Sequence, residues 1–182
     1  MSPYQTTSSQ IVWSCPWYSV RRDEIVTPDG RPGVYNVVVA KPAVWIIPVT
    51  DRGEIVLIYT YRYAVNEWCW EIVAGGLQAG KTVRETAVSE LREEIGGVAR
   101  DWHFLGRFYT ANGFSSEEGH YFLATGVSLS EPTDHESTEV LEIHPLPIAE
   151  VLRMARAGEI TDSPSVAALL LAEPLLREMM DL

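Results

Sequence analysis

Apolar residues fall into short dense runs broken by glycine, proline and polar turns, except in three stretches where they recur at helical spacing. Between residues 11 and 40, IVWSCPWYSVRRDEIV and VYNVVVA flank PDGRPG, whose glycines and prolines supply a reversal, so the segment predicts short strands around a turn. Two β-rich runs follow, AVWIIPV (43–49) and EIVLIYTYRY (54–63), and the Thr50-Asp51-Arg52-Gly53 turn between them predicts a hairpin. Trp70 to Val73 then leads into a glycine-bearing loop, AGGLQAGK (74–81). The strongest helical signal comes next: Thr82 and Glu85 make a T-x-x-E capping box, Val83, Ala87, Leu91 and Ile95 make an apolar stripe, and Gly96-Gly97 stops it. Further strands are predicted at 102–110, 120–127 and 140–146, leaving polar loops at 111–119 (ANGFSSEEG) and 130–138 (SEPTDHEST). IAEVLRMARA, ending at Gly158, predicts a second helix. Ser163 as N-cap, with Pro164 at the first helical position, predicts a third running to about Met180.

This order of elements predicts an α+β fold or a three-layer α/β/α sandwich. Residues 1–10 read as a disordered tip, 11–40 as an N-terminal β extension and 41–182 as the main domain.

Composition narrows the function. The 182 residues fit one domain with a sizeable core, and 46% apolar with 10% aromatic content is that of a globular protein. No run reaches the roughly 18 apolar residues that would span a membrane, and MSPYQTTSSQ lacks the charged-then-apolar layout of a signal peptide, which places the protein in the cytoplasm. Cys15 and Cys69 have neither metal-ligand spacing nor a disulfide framework, and His103, His120, His135 and His144 show no ligand spacing either. A formal charge of −11 with a pI near 4.8 argues against general nucleic-acid binding. An anionic substrate would need local basic groups or metal ions.

The chemistry concentrates in SELREEIGG (89–97). On a helix, Glu90 stacks on Glu94 at i, i+4 and on Glu93 at i, i+3, where like charges repel by a few tenths of a kcal/mol each. None of the neighbours three or four residues away is basic. The acids are either an ordinary acidic surface face or ligands to a hard divalent cation; Mg²⁺ binds through one or two carboxylates plus substrate phosphates.

Residues 75–97 resemble a Nudix box, G-x5-E-x7-R-E-U-x-E-E-x-G-U with U apolar: Gly75, Glu90, Leu91, Glu93, Glu94 and Gly96 fall at their places. Lys81 stands where the first Glu belongs, Ser89 where the Arg belongs and Gly97 where an apolar residue is usual. The resemblance extends over about residues 11–175 to the ADP-ribose pyrophosphatase branch, through YRYAV (61–65), WEIVAG (70–75), NGFSSE (112–117) and GEITDSPSVAALLLA (158–172). Asn112 stands where that branch commonly has proline, which bears on substrate identity rather than reaction class.

The resemblance implies a Nudix-type α/β/α sandwich with a mixed sheet, and Mg²⁺-dependent hydrolysis (Mn²⁺ as substitute) of ADP-ribose or a related nucleotide sugar to a nucleoside monophosphate and a sugar phosphate. It implies metal binding by Glu90, Glu94, Glu93 and the backbone carbonyl of Ala74, with Glu93 also catalytic. A general base would come from the 130–138 loop or just beyond it: Glu136 first, as base or extra metal ligand, then Glu139 and Asp134, against the alternative of a solvated acidic loop. Glu117 is either a metal or substrate contact or exposed surface. Arg62 either contacts phosphate or pairs with a structural acid such as Glu71. Trp17 and Tyr18 either stack on the base across a homodimer formed through the β extension or belong to a core. Lys81 either replaces part of the missing guanidinium as a point charge or is solvent-exposed, leaving a site that works less well. The departures also leave open a module that senses a nucleotide sugar without cleaving it; no nucleic acid or membrane partner is implied.

Overall fold

The computed structural model describes residues 2–135 and 140–180, which form two units. The first comprises Met1–Pro42 and Phe108–Glu118. It contains an antiparallel three-stranded sheet of β1 (Gln5–Ser14), β2 (Tyr18–Val26) and β3 (Pro32–Ala40) in the order β1-β2-β3. Residues 5–10 are therefore strand and not a disordered tip. Their Ser/Thr-rich run has little apolar content of its own, but β2 supplies a partner for it from Gln5↔Val26 to Ser14↔Ser19. Residues 111–116 pack on β3 in the same unit: Val38 N–H donates to Phe114 O (2.8 Å), Ser116 N–H to Val38 O (2.9 Å) and Tyr35 Oη–H to Gly113 O (2.9 Å).

The second unit, Ala43–Arg107 and Gly119–Leu182, is built on a mixed sheet. Its strands are β4 (Ala43–Thr50), β5 (Glu54–Arg62), β6 (Glu67–Glu71), β7 (Val73–Gly76), β8 (Gly97–Val98), β9 (Asp101–Tyr109), β10 (Glu118–Leu129) and β11 (Leu141–Pro147). The helices are α1 (Val83–Ile95), α2 (Ile148–Ala157) and α3 (Ser163–Met180). The main path runs β11-β5-β4-β10-β8, with β4 and β10 parallel. The expected β4–β5 hairpin closes only at Val49↔Ile55. Beyond that point β4 turns to β7 and β10, and β5 turns to β6 and β11.

Both faces of the sheet are covered, which is why β4 and β5 read as continuous apolar runs. Val44, Ile46, Val56, Ile58 and Phe122 pack with Ala87, Leu91 and Ile95 of α1 on one face. Ile47, Val49, Ile55, Leu57 and Leu123 pack with α2 and α3 on the other. The alternation of Ile46 and Ile47 between the two clusters is the period of two expected of a strand. The result is the three-layer arrangement of the sequence reading. No helix among the described residues is long and apolar enough to cross a membrane.

Candidate active site

Helix α1 carries the acids, and its ends are fixed locally. Thr82 accepts from the Glu85 N–H at 3.2 Å while the Glu85 carboxylate accepts from the Thr82 N–H at 2.8 Å, completing the capping box. At the other end Gly96 adopts φ +64°, and any Cβ there would strike the carbonyl oxygen of Glu131. With Ala87, Leu91 and Ile95 directed into the core, Glu90 and Glu94 stack one turn apart next to β7.

Strand β7 is the other wall. The sequence placed Ala74–Gly76 in a loop because paired glycines signal turns, yet they pair with β4 as Trp45↔Ala74, Val44↔Gly75 and Ala43↔Gly76. Ala74 N–H donates to Glu94 Oε2 at 3.3 Å, and Glu94 is only 8% exposed. Gly75 leaves room for Glu90, whose carboxyl group occupies the space that a Cβ would take. Gln78 Nε2 donates to Glu90 Oε1 (3.2 Å) and Glu93 Oε2 (3.3 Å). Arg92 also reaches Glu93 Oε1 at 3.1 Å, so the acids do have a basic neighbour, adjacent in sequence rather than a turn away.

Beside this pair of elements lies a cleft of about 440 Å³, lined among others by Trp45, Arg62, Cys69, Glu71, Ala74 and Asp162. Arg62 is held by a two-pronged bond, Nε to Glu71 Oε1 (2.7 Å) and an NH2 group to Glu71 Oε2 (2.5 Å). The Glu71 carboxylate, followed by the more distant charges of Glu94 and Asp162, keeps this guanidinium above its ordinary pKa against the burial that would lower it. Asp162, rather than Ser163, is the N-cap of α3: its Oδ2 accepts from the Ser165 N–H (2.9 Å) and hydroxyl (2.5 Å). The Ser165 hydroxyl in turn accepts from the Ile72 N–H at 3.0 Å, tying the start of α3 to the residue between β6 and β7.

The loop after β10 is fastened to the C-terminal carbonyls of α1. Glu131 N–H donates to Gly96 O (3.0 Å), Asp134 N–H to Glu93 O (2.8 Å), and His135 Nε2 contacts Glu94 O at 2.7 Å. His135 carried no signal in the sequence, because its partner is 41 positions away.

The second unit thus brings together Arg62, Ala74, Glu90, Glu93 and Glu94. Trp17 and Tyr18 belong to the first unit and are exposed, at 72% and 43%, so neither is a core residue within it. Glu117 is also in the first unit, where its carboxylate accepts the Thr110 hydroxyl at 2.6 Å. Glu136 and Glu139 lie outside the described residues. Lys81 donates to Gln78 and Ser89, and the amide of Gln78 stands between it and the carboxylates of Glu90 and Glu93. Gln78 carries no signal of its own in the sequence, where it is one polar residue in a glycine-bearing loop.

Among the described residues no three His, Cys, Asp or Glu side chains form a complete cage. Hard, acceptor-only carboxylates on one helix, with a floor lacking a Cβ, nevertheless suit a divalent ion that keeps water and substrate oxygens in its shell.

The fold and the site are thus a mixed sheet between helices with a glycine-floored glutamate helix beside a cleft. A family model described as the NUDIX domain matches residues 39–169, and one described as the nucleoside diphosphate sugar hydrolase N-terminal domain matches residues 4–38. The chain belongs to the Nudix family and is a Nudix hydrolase. It is 36% identical to an ADP-ribose pyrophosphatase of Mycobacterium tuberculosis, over 92% of this chain and 82% of that one. It is 28% identical to an ADP-ribose pyrophosphatase of Bacillus subtilis, over 91% and 90% respectively. A solved structure described as an ADP compounds hydrolase shares the fold, with a TM-score of 0.84 at 22% identity, covering 96% of this chain and 95% of that one.

Proposed function

We propose that the protein is a Mg²⁺-dependent hydrolase that splits the diphosphate of ADP-ribose, or of a related nucleoside diphosphate sugar, into a nucleoside monophosphate and a sugar phosphate. The observation that carries this reading is the approach of Glu90 and Glu94 to Ala74 and Gly75 beside the Arg62 cleft. The names borne by the two pyrophosphatase relatives support the substrate class.

Glu90, Glu93, Glu94 and the Ala74 carbonyl would hold the metal, with Mn²⁺ as a substitute. A bound divalent ion supplies activation of water and stabilisation of charge developing on phosphate. Arg62 commits two of its five N–H donors to Glu71, which leaves donors on the same rigid fork for a phosphate oxygen. Pairing with Glu71 and binding phosphate are therefore compatible. Glu136, ahead of Glu139 and Asp134, takes the proton of the attacking water; the anchoring of Asp134 and His135 on α1 supports a base delivered from this loop.

The first unit serves as the homodimer surface, with Trp17 and Tyr18 stacking on the base. Exposed Ile11, Val12, Trp13 and Tyr18 on β1 and β2, with Trp17 in the turn between them, support this, since so many apolar groups close together call for a partner. We place the protein in the cytoplasm, where its two free cysteines would stay reduced.

The test is product formation from ADP-ribose and a panel of other nucleotide sugars with Mg²⁺, using Glu94→Gln as control. AMP released by the wild type and lost in the variant supports the reading. Binding of ADP-ribose with no turnover of any panel member would refute hydrolysis and leave a sensor.

A further inference from the structure

The box departures at Lys81 and Ser89 are joined in space. Lys81 Nζ donates to Ser89 Oγ at 2.6 Å and to Gln78 Oε1, while the other end of the Gln78 amide donates to one oxygen each of Glu90 and Glu93. An ammonium only donates and a carboxylate only accepts, so a single orientation of the amide satisfies both ends. The loop is built to hold that amide in place: Gln78 N–H donates to Oγ1 of the fully buried Thr86 at 3.4 Å, and Lys81 N–H donates to Gln78 O at 3.2 Å.

Resting on the metal-dependent reading above, we propose that Lys81 and Gln78 form a relay of positioning residues that sets Glu90 and Glu93 for metal binding. Lys81 fixes the amide oxygen, and the amide nitrogen fixes the two carboxylates. The intervening neutral amide has a purpose. An ammonium placed directly on those oxygens would compete with a divalent cation for them, whereas the amide orients one oxygen of each acid without a full charge. Lys81 and Ser89 then represent a rebuilt support in place of a lost one, and the support depends on Gln78, which the box pattern does not mention.

The test is Mn²⁺ affinity of the full chain, read from the electron paramagnetic resonance signal of free Mn²⁺, with no substrate present. Variants are Lys81→Met, Gln78→Leu, the double variant and Lys81→Arg, with circular dichroism to confirm folding. Plain charge removal near a cation site tightens binding, so the relay and simple electrostatics have opposite signs. The relay expects Lys81→Met and Gln78→Leu each to weaken Mn²⁺ binding about tenfold or more. It expects the double variant to be no weaker than the worse single, and Lys81→Arg to stay within about threefold of wild type, as groups acting through one shared contact do. Unchanged or tighter binding by Lys81→Met, or single losses that multiply in the double variant, overturns the relay alone. Failure of the wild type to bind Mn²⁺ in a manner that Glu94→Gln abolishes refutes the metal reading and the relay with it.

Discussion

The substitution Gly75→Ala separates catalytic geometry from stability more cleanly than any change to a glutamate. Gly75 pairs with Val44 in β7, and it is not among the residues with positive φ, so the backbone accepts alanine. Alanine also narrows the unfolded ensemble, an effect of about 0.4–1 kcal/mol in favour of folding. The difficulty is the Glu90 head group. A Cβ on Gly75 would stand 2.0 Å from Glu90 Cδ, and ordinary contact begins at 3.4 Å, so the carboxyl must retreat by about 1.4 Å (3.4 minus 2.0). It can do so cheaply, being the end of a flexible side chain, and the unfolding free energy should stay within about 1 kcal/mol of wild type. If Glu90 holds Mg²⁺ as proposed, its carboxylate cannot absorb that shift, because Mg²⁺ holds its ligands at about 2.0–2.1 Å and misplacement by about 1 Å costs on the order of 100-fold. The expected fall in kcat/KM on ADP-ribose is therefore about 100-fold, or about 2.7 kcal/mol of transition-state stabilisation. Urea unfolding and steady-state kinetics on the same preparation check both halves. Retention of more than a third of wild-type kcat/KM would refute the placement of Glu90 against Gly75, and so would a loss of several kcal/mol in stability.

Three further outcomes are expected. Arg62→Met strands Glu71, whose side chain is 6% exposed, as an unpaired charge; because Arg62 itself is 51% exposed, the cost in urea unfolding should be about 2 kcal/mol, below the roughly 3–5 of a fully buried pair. Asp162→Ala removes the N-cap of α3 and should cost about 1 kcal/mol in the same assay, with Asp162→Ser recovering most of it. The Glu85 carboxyl is held below its ordinary value of 4.5 by the Thr82 N–H and then by the Thr82 hydroxyl. Its contribution is thus fully present above about pH 4.5 and fades as the pH falls through the lower folded value, so the Tm of wild type should drop more steeply than that of Glu85→Gln as pH is lowered from 6 to 3.

What could be read from sequence was what short-range chemistry determines. The capping box at Thr82, the Gly96 stop and the two-sided apolar runs of β4 and β5 all depend on neighbours within a few positions or on burial alone. The N-cap of α3 came out one residue late because aspartate and serine are both good caps. Only the position of the Ser165 N–H and hydroxyl, both reaching Asp162, decides between them. Ala74–Gly76 lack strand-forming side chains, and in Gln5–Gln10 only Thr6 and Thr7 favour a strand; both segments become strands because β4 and β2 offer hydrogen bonds. The acids of the site were visible as a pattern, but their supports were not. Gln78 and His135 act through contacts that exist only once α1 has docked against the loops on either side of it, and Arg92 reaches Glu93 from the next position on α1, outside the spacing of three or four at which helical neighbours are sought.

The first unit is assembled from two stretches far apart in the chain. Tyr35 and Gly113, which share a hydrogen bond, are 78 positions apart. During synthesis at about 5–20 residues per second, β3 must therefore wait roughly 4 to 16 s after it leaves the ribosome before its partner segment exists. For that interval the Val38 N–H and carbonyl on the edge of β3 stand unmatched, which leaves the nascent chain open to association with its neighbours while β4 to β9 are still being made. A pause or a chaperone acting between residues 40 and 116 would thus affect the yield of folded protein more than one acting at any later point.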